Sequence, residues 1–365
     1  MQLKILIDIG HPGHVHLFKN LYHDLINRGH KIVVTVKDIP VAIELLDSFH
    51  IPYIIIGRKP DSISGKIFSQ IGFNYRTWKI IRKNKIDIGI GTSFTLAQIS
   101  KISKMKSIIL DDDDDDVEPF FVKFVHPFCD TLLSPDVLKG KRKRKDTVYY
   151  PGFHELAYLH PNRFKPDEGV LKEIGLQKED TFFVLRFNVF KAHHDVGATG
   201  LTIEQKLKLV EYLQPHGKIF ITTERNIEPE LEKYRLSISL DKIHSLIYFA
   251  GLFIGDSQTM TSEAAVLGTP SIRCNSFVGR ISYLEEEQHR YHLTFGFKPD
   301  DFDKLLGKVK ELLSTSNLKE DFQKRRQKLL DDKIDVTSFL VWFVENYPES
   351  VRIMKENPEY QERFR

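Results

Sequence analysis

Leu252-Phe253-Ile254-Gly255-Asp256-Ser257-Gln258-Thr259-Met260-Thr261-Ser262-Glu263-Ala264-Ala265-Val266-Leu267-Gly268-Thr269-Pro270 is the stretch whose reading decides the fold. An apolar run short enough for a strand breaks at Gly255-Asp256, and small, hydroxylated residues follow. Met260, Ala264 and Leu267 then recur at helical spacing until Gly268 stops the helix. A strand feeding directly into a helix aims that helix's unpaired N–H groups beyond the strand's end. With the hydroxyls of Ser257 and Thr259 added, the place suits a phosphate. Glu263 follows about two turns into the helix, where a carboxylate suits the diol of a ribose. An ordinary capped helix start in an α/β sheet has the same local pattern.

Outward from this stretch the chain alternates strand and helix signals in two sets. The first has expected strands at Leu3–Ile7, Lys31–Val36, Tyr53–Ile56, Ile86–Ile90 and Ser107–Leu110, with helices at Val15–Asn27, Val41–Phe49 and Thr92–Lys104 between them. The second runs through strands Thr181–Arg186, Lys218–Thr222, Leu252–Ile254 and Thr269–Arg273, with helices Ile203–Leu213, Lys242–Ala250, Ser257–Leu267 and Asp301–Leu313. Strands separated by helices of this length imply βαβ units and parallel sheets. The polar, Pro-containing sequence around Tyr149-Tyr150-Pro151-Gly152 and from His160 to Pro166 reads as the connection between two domains. The expected fold class is therefore α/β, with two Rossmann-like domains at 1–157 and 158–335 and a C-terminal helical segment at 336–365. No Gly-x-Gly-x-x-Gly accompanies either set, which argues against a dinucleotide enzyme.

Composition narrows the class. The chain has 365 residues, enough for two cores, and 41% hydrophobic and 28% charged residues are those of a globular protein. A net charge of +3 is too small to argue for nucleic acid, which is not an expected partner. Cys129 and Cys274 lie far apart without metal or redox spacing, so a reducing cytoplasm is expected, with no signal peptide and no spanning helix. Membrane contact would be peripheral, through the first domain at the inner face.

Three constellations carry candidate chemistry, and two basic stretches stand beside them. His11-Pro12-Gly13-His14 follows the first strand, at the edge where α/β sheets bind ligands. Gly13 permits close approach of a substrate, and a helix start favours the neutral form of His14, as a base needs. His11, His14 and His16 also form a possible metal set, against which stands the lack of an accompanying carboxylate or cysteine. Arg186 ends an apolar strand, where a guanidinium must face an anion or an ion-pair partner such as Asp195 or Glu224; His193 and His194 follow it. Asp111 to Asp116 would bind a divalent ion in one reading, but repulsion among six carboxylates favours an exposed turn, with Asp111 or Asp112 alone lining the site. Lys139-Gly140-Lys141-Arg142-Lys143-Arg144-Lys145 reads as a solvated loop. The stretch from Lys66 to Lys85 interleaves aromatic with basic residues, as a helix packed on its sheet or as a lipid-facing surface.

The opening stretch resembles the nucleotide site of non-hydrolysing UDP-N-acetylglucosamine 2-epimerases, in which Asp-Ser-Gly-Gly and a following Glu-Glu-Ala hold UDP. Asp256, Ser257 and Glu263 match, whereas Gln258 and Thr259 replace the glycines and Ser262 the first Glu. The wider pattern is similar to the family known as domain of unknown function 354, relatives of GT-B glycosyltransferases. It lies in Ile7 to His16, Glu155 to Asn162, Ala192 to Gly197 and the opening stretch continued through Arg273. That resemblance implies two Rossmann-like domains facing across a cleft lined by His14, Arg186 and Glu263, with a C-terminal helix returning to the first domain.

The resemblance further implies a glycosyltransferase of cell-surface polysaccharide or glycolipid assembly, with a UDP-sugar donor, a glycan or lipid-linked acceptor and no metal or other cofactor. Gly13, Arg186, His193, His194, Asp256, Ser257, Gln258, Thr259 and Glu263 would bind the nucleotide sugar, and His14, His11 and Asp111 would serve catalysis. The lipid-linked N-acetylglucosaminyltransferase of peptidoglycan synthesis has a similar Gly-Gly-His, which suggests His14 as the acceptor's base. A 2-epimerase is the alternative, though Gly91-Thr92-Ser93 stands where those enzymes carry an Asp. A non-catalytic nucleotide-sugar or glycan binder is the third reading.

Overall fold

The computed structural model describes residues 2–58, 63–187, 200–223 and 227–365. The chain divides into one unit of residues 1–163 with 333–365, and a second of residues 164–332.

In the first unit, seven strands form a parallel sheet among the described residues: β1 (Lys4–Ile9), β2 (Lys31–Lys37), β3 (Ile54–Gly57), β4 (Ile88–Gly91), β5 (Lys106–Leu110), β6 (Thr131–Pro135) and β7 (Val148–Tyr150). Their order is β3-β2-β1-β4-β5-β6-β7, so the chain reverses direction across the sheet between β1 and β4. Helices cover both faces, which is why β1 is apolar after its first residue, Lys4, save for Asp8. Asp8 is buried yet satisfied, accepting hydrogen bonds from Thr35 Oγ1 at 2.6 Å and Ser93 Oγ at 2.5 Å. Leu6, Ile109 and Leu132 pack with Leu96, Ile99 and Phe121 in the core.

Three sequence expectations change here. Tyr149 and Tyr150 belong to β7, the edge strand of the first sheet, rather than to a connection. The helix expected from Val15 starts at Pro12, whose ring-fixed φ suits a first helical position, and this brings His14 into the first turn. The C-terminal apolar stretch forms two helices, Val336–Glu345 and Glu349–Glu356, interrupted at Pro348. The first of these packs on the helices Pro12–Asn27 and Leu156–Leu159, and its buried Phe339 ring lies 5.6 Å from that of Tyr150. Burial of one such ring contributes about 1.5–3 kcal/mol. Arg163 closes the first crossing of the chain: its guanidinium bonds Asp24 at 2.7 Å, Asp335 at 2.8 Å and Ser338 at 2.7 Å.

The second unit has five parallel strands among the described residues: β8 (Phe182–Arg186), β9 (Lys218–Thr222), β10 (Leu252–Gly255), β11 (Ser271–Cys274) and β12 (Thr294–Phe297). The order β12-β11-β10-β8-β9 puts its reversal between β8 and β10. The fifth strand, β12, was not expected; its Thr294-Phe295-Gly296-Phe297 is too short to carry a clear alternation. Among the described residues no helix is long and apolar enough to cross a membrane.

Candidate functional site

In an open parallel sheet, ligands bind outside the carboxyl ends of the strands where the strand order reverses. In the second unit that point joins the two segments singled out in the sequence. Gly255 pairs with Arg186 in register, and Asp256 N–H donates to Arg186 O at 3.1 Å. A side chain at 255 is excluded, since a Cβ there would lie 2.5 Å from Arg186 O. The Arg186 guanidinium, largely buried, donates to Thr222 Oγ1 at 3.2 Å. Beyond β10, Ser257 caps the helix Gln258–Leu267 by accepting from Met260 N–H at 3.3 Å, and Gly268 closes the helix at φ +73°. The cap uses an oxygen lone pair of Ser257; its O–H hydrogen stays available to an anion at the helix start. Asn275 Nδ2 fixes the turn by donating to Asp256 O at 2.8 Å. Gln258 and Thr259 are half-buried in the first turn. His193 and His194, with Asp195 and Glu224, lie outside the described residues.

Glu263 is buried, and its Oε1 lies 2.9 Å from His244 Nε2. His244 comes from a neighbouring helix and had no signal in the sequence. Arg273 is also new as a site residue. It is the penultimate residue of β11, paired with Gly255, is 2% exposed and donates to Glu285 at 3.2 Å, while burial lowers its affinity for a proton. An arginine ending an apolar strand is the same signal that marked Arg186.

In the first unit, His11, His14 and the acidic run meet the carboxyl edge of the sheet. His11 Nδ1 caps the first helix by accepting from Gly13 N–H at 3.1 Å, and its ring is 5.9 Å from that of His14. His14 Nδ1 accepts the Gly10 N–H at 3.2 Å. Burial holds His14 well below the ordinary histidine range, reinforced by the positive charges of His11, His154 and Lys37 and opposed by Asp112. In a neutral ring whose Nδ1 accepts, the proton sits on Nε2. His14 is therefore set up as a hydrogen-bond donor rather than as the base expected from sequence. His16 instead packs between Phe49 and Tyr158, with ring centroids 5.7 and 5.4 Å away. Lys37, at the end of β2, faces Gly10 and is lowered from the ordinary lysine range by burial, with Asp8 opposing.

The acidic run is not an exposed turn. Asp111, Asp114 and Asp115 are buried, and so is Arg142 from the basic stretch expected to be solvated. Arg142 NH1 reaches Asp115 Oδ1 at 2.9 Å and Asp111 Oδ2 at 3.1 Å, and its Nε donates to Ser134 Oγ at 3.1 Å. His126 Nε2 adds a 2.7 Å contact to Asp111. Asp111 is thus engaged by the Arg142 and His126 side chains and serves to hold the turn. Asp112 pairs instead with His154, Oδ2 to Nδ1 at 3.0 Å. Burial pushes the Asp112 carboxyl up, but His154, the backbone and Arg142 outweigh it and hold the group below its ordinary range. Asp113 goes the other way: burial and the charges of Asp112, Asp111 and Glu118 push it well above that range. Among the described residues, Asp111, Asp112 and Asp113 form the group whose oxygens, within 4.8 Å of one another, are close enough to share one ion. His11, His14 and His16 form no such set.

Residues 3–344 match the family model described as protein of unknown function, DUF354. The chain belongs to that family. It is 22% identical over 315 residues to Uncharacterized protein MJ0665 of Methanocaldococcus jannaschii, covering 80% of this chain and 88% of that one. Its fold is similar to that of a putative UDP-N-acetylglucosamine 2-epimerase from Listeria monocytogenes, with TM-score 0.67, 14% identity and coverage of 95% and 97%. It is also similar to spinosyn rhamnosyltransferase SpnG complexed with thymidine diphosphate, with TM-score 0.63, 11% identity and coverage of 94% and 99%. The two parallel α/β units of this DUF354 protein are those of the GT-B class.

Proposed function

We propose that the chain is a UDP-sugar-dependent glycosyltransferase acting in the assembly of a cell-surface polysaccharide or glycolipid. The observation that carries this reading is the reversal point of the second sheet, where Arg186 and the Ser257-capped helix start stand side by side. A helix start with hydroxyl donors and a strand-end guanidinium is the donor set a diphosphate requires. Ser257, Gln258 and Thr259 would hold the diphosphate, Glu263 the ribose, and Arg186 the charge that develops on the leaving group. Stabilising that charge by fixed donors would be the main source of rate. On the first unit, the donor ring of His14 would orient a hydroxyl of the acceptor, a glycan or lipid-linked sugar. The names of the similar structures, a UDP-sugar epimerase and a glycosyltransferase with a nucleoside diphosphate, support a nucleotide-sugar ligand.

A 2-epimerase is the second reading, favoured by one observation. Asp112, Asp113 and His154 put proton-transfer groups at the edge of the first sheet, although Gly91-Thr92-Ser93 stands where those enzymes carry an Asp, and Ser93 is used to cap a helix. Calorimetry with UDP in the presence of chelator tests the proposal, with metal-independent binding expected. Binding that vanishes with chelator and returns with manganese would instead give the acidic run an ion to hold. UDP-N-acetylglucosamine in deuterated water separates the two readings: exchange of the sugar's C2 proton without acceptor would favour the epimerase. Binding with neither exchange nor transfer would leave a binder.

A further inference from the structure

His154 lies between β7 and the helix Leu156–Leu159, in a loop held by the C-terminal segment. Ile334 N–H donates to Pro151 O at 3.0 Å, and Gly152 sits so close to Val336 that a Cβ there would lie 2.6 Å from Val336 Cγ2. The loop is thereby packed on the C-terminal segment, and in it His154 meets Asp112 at the carboxyl edge of the first sheet. With Nδ1 at 3.0 Å from the carboxylate Oδ2, the neutral ring places its proton on Nδ1 and keeps the Nε2 lone pair free. Nε2 is buried and finds no hydrogen-bond partner among the described residues. A buried acceptor without a donor is costly, of the order of 1–3 kcal/mol, and a site that keeps one is a site waiting for a donor group. His14, whose protonation a charge on His154 disfavours, is in the opposite tautomer, with Nδ1 occupied by the Gly10 N–H and the proton on Nε2.

We propose that His154, oriented by Asp112, is the proton acceptor of this site, with His14 as the partner donor. This rests on the glycosyltransferase reading above and reassigns the base within it. The acceptor's hydroxyl gives its proton to His154 Nε2, and its oxygen takes the Nε2–H hydrogen bond of His14. That oxygen forms the new bond to the anomeric carbon of the UDP-sugar. The bond from the anomeric carbon to the β-phosphate oxygen breaks with its electron pair, UDP departs, and the His154 imidazolium releases its proton to water. Asp112 touches no reacting atom; it is a positioning residue that fixes the tautomer and stabilises the imidazolium.

The test has two arms. Long-range proton–nitrogen spectra of protein with labelled histidines, assigned with His14→Gln and His154→Gln, read both tautomers without any ligand. The expected result is Nδ1–H for His154 and Nε2–H for His14, with Asp112→Asn moving His154 to the other tautomer. The second arm measures UDP released from UDP-N-acetylglucosamine with water as acceptor, alongside UDP affinity by calorimetry. His154→Gln should lower release about 100-fold to 10,000-fold and remove the fall of release on the acid side of its pH profile, with UDP affinity unchanged. An Nε2–H tautomer for His154 in the wild-type protein, or release by His154→Gln within threefold of wild type, overturns the proposal. Failure to bind UDP would overturn the glycosyltransferase reading instead, while the tautomers still decide whether His154 is the acceptor of the pair.

Discussion

Arg142 and Asp115 are 27 residues apart in the chain, and their side chains meet at 2.9 Å in a buried contact. One arginine of a basic run thus offsets two carboxylates, Asp111 and Asp115, of a run of six aspartates beside the carboxyl edge of the first sheet. The Arg142 guanidinium also donates to the backbone carbonyls of Asp111 and Asp113, both at 2.5 Å, so it sets the path of the turn as well as its charge. Removing one partner of a buried pair leaves the other uncompensated. Arg142→Ala should therefore lower stability by about 3–5 kcal/mol in denaturant unfolding. Lys145→Ala, three residues on and exposed, should stay within about 0.5 kcal/mol.

Asp113 gives a prediction of opposite sign. Its folded-state affinity for a proton is raised by burial and by Asp112, Asp111 and Glu118, so the folded chain holds a proton that the unfolded chain has released. Stability from this group is present at low pH and lost as pH rises through the raised value. Asp113→Asn should stabilise the protein at about pH 8 and do little at about pH 4, as thermal unfolding at the two values would show.

The lowered His14 ring works in the other direction. The folded chain resists protonation there, whereas the unfolded chain binds a proton below about pH 6.5. The contribution of this group is complete above that value and is lost as pH falls below it. In His14→Gln the slope of stability against pH should be shallower between about pH 5 and 7, measured by urea unfolding at each value.

For the nucleotide, Glu263→Gln should weaken UDP binding about 10-fold to 100-fold by calorimetry, through loss of a charged hydrogen-bond partner worth about 1.5–3 kcal/mol. Ser257→Ala should weaken it as well, and should cost about 1 kcal/mol of stability because the same oxygen caps the helix. His14→Ala should leave UDP affinity nearly intact, since that ring belongs to the other unit.

Two glycines separate close packing from backbone freedom. At Gly255 the obstacle to a side chain is the backbone of Arg186, so Gly255→Ala should part β10 from β8 at their carboxyl ends and abolish UDP binding. Gly72 lies within the helix Ile63–Asn84 with nothing near its missing Cβ, and Gly72→Ala should gain about 0.5–1 kcal/mol in thermal unfolding.

The sequence by itself determined the elements whose signals are local. Ile203–Leu213 and Lys218–Thr222 fall where periodicity places them, and the break at Gly255-Asp256 marks a strand that turns into a helix, since capping and apolar spacing act over a few residues. Two parallel α/β units followed from that alternation, and the local strand-to-helix pattern singled out Ser257 and Glu263, which the family resemblance also matched. Short strands such as β7 and β12 escaped because three or four residues hold too little pattern. What only the tertiary structure decided is which polar groups meet. Asp112 selects His154, Arg142 selects Asp111 and Asp115, and Glu263 selects His244 because strand register and helix packing bring them within hydrogen-bond reach. The protonation of His14 likewise depends on Gly10 and on buried neighbours from other elements. Electrostatics and hydrogen bonding act through space over a few ångströms, and the sequence carries no record of those distances until the chain has folded.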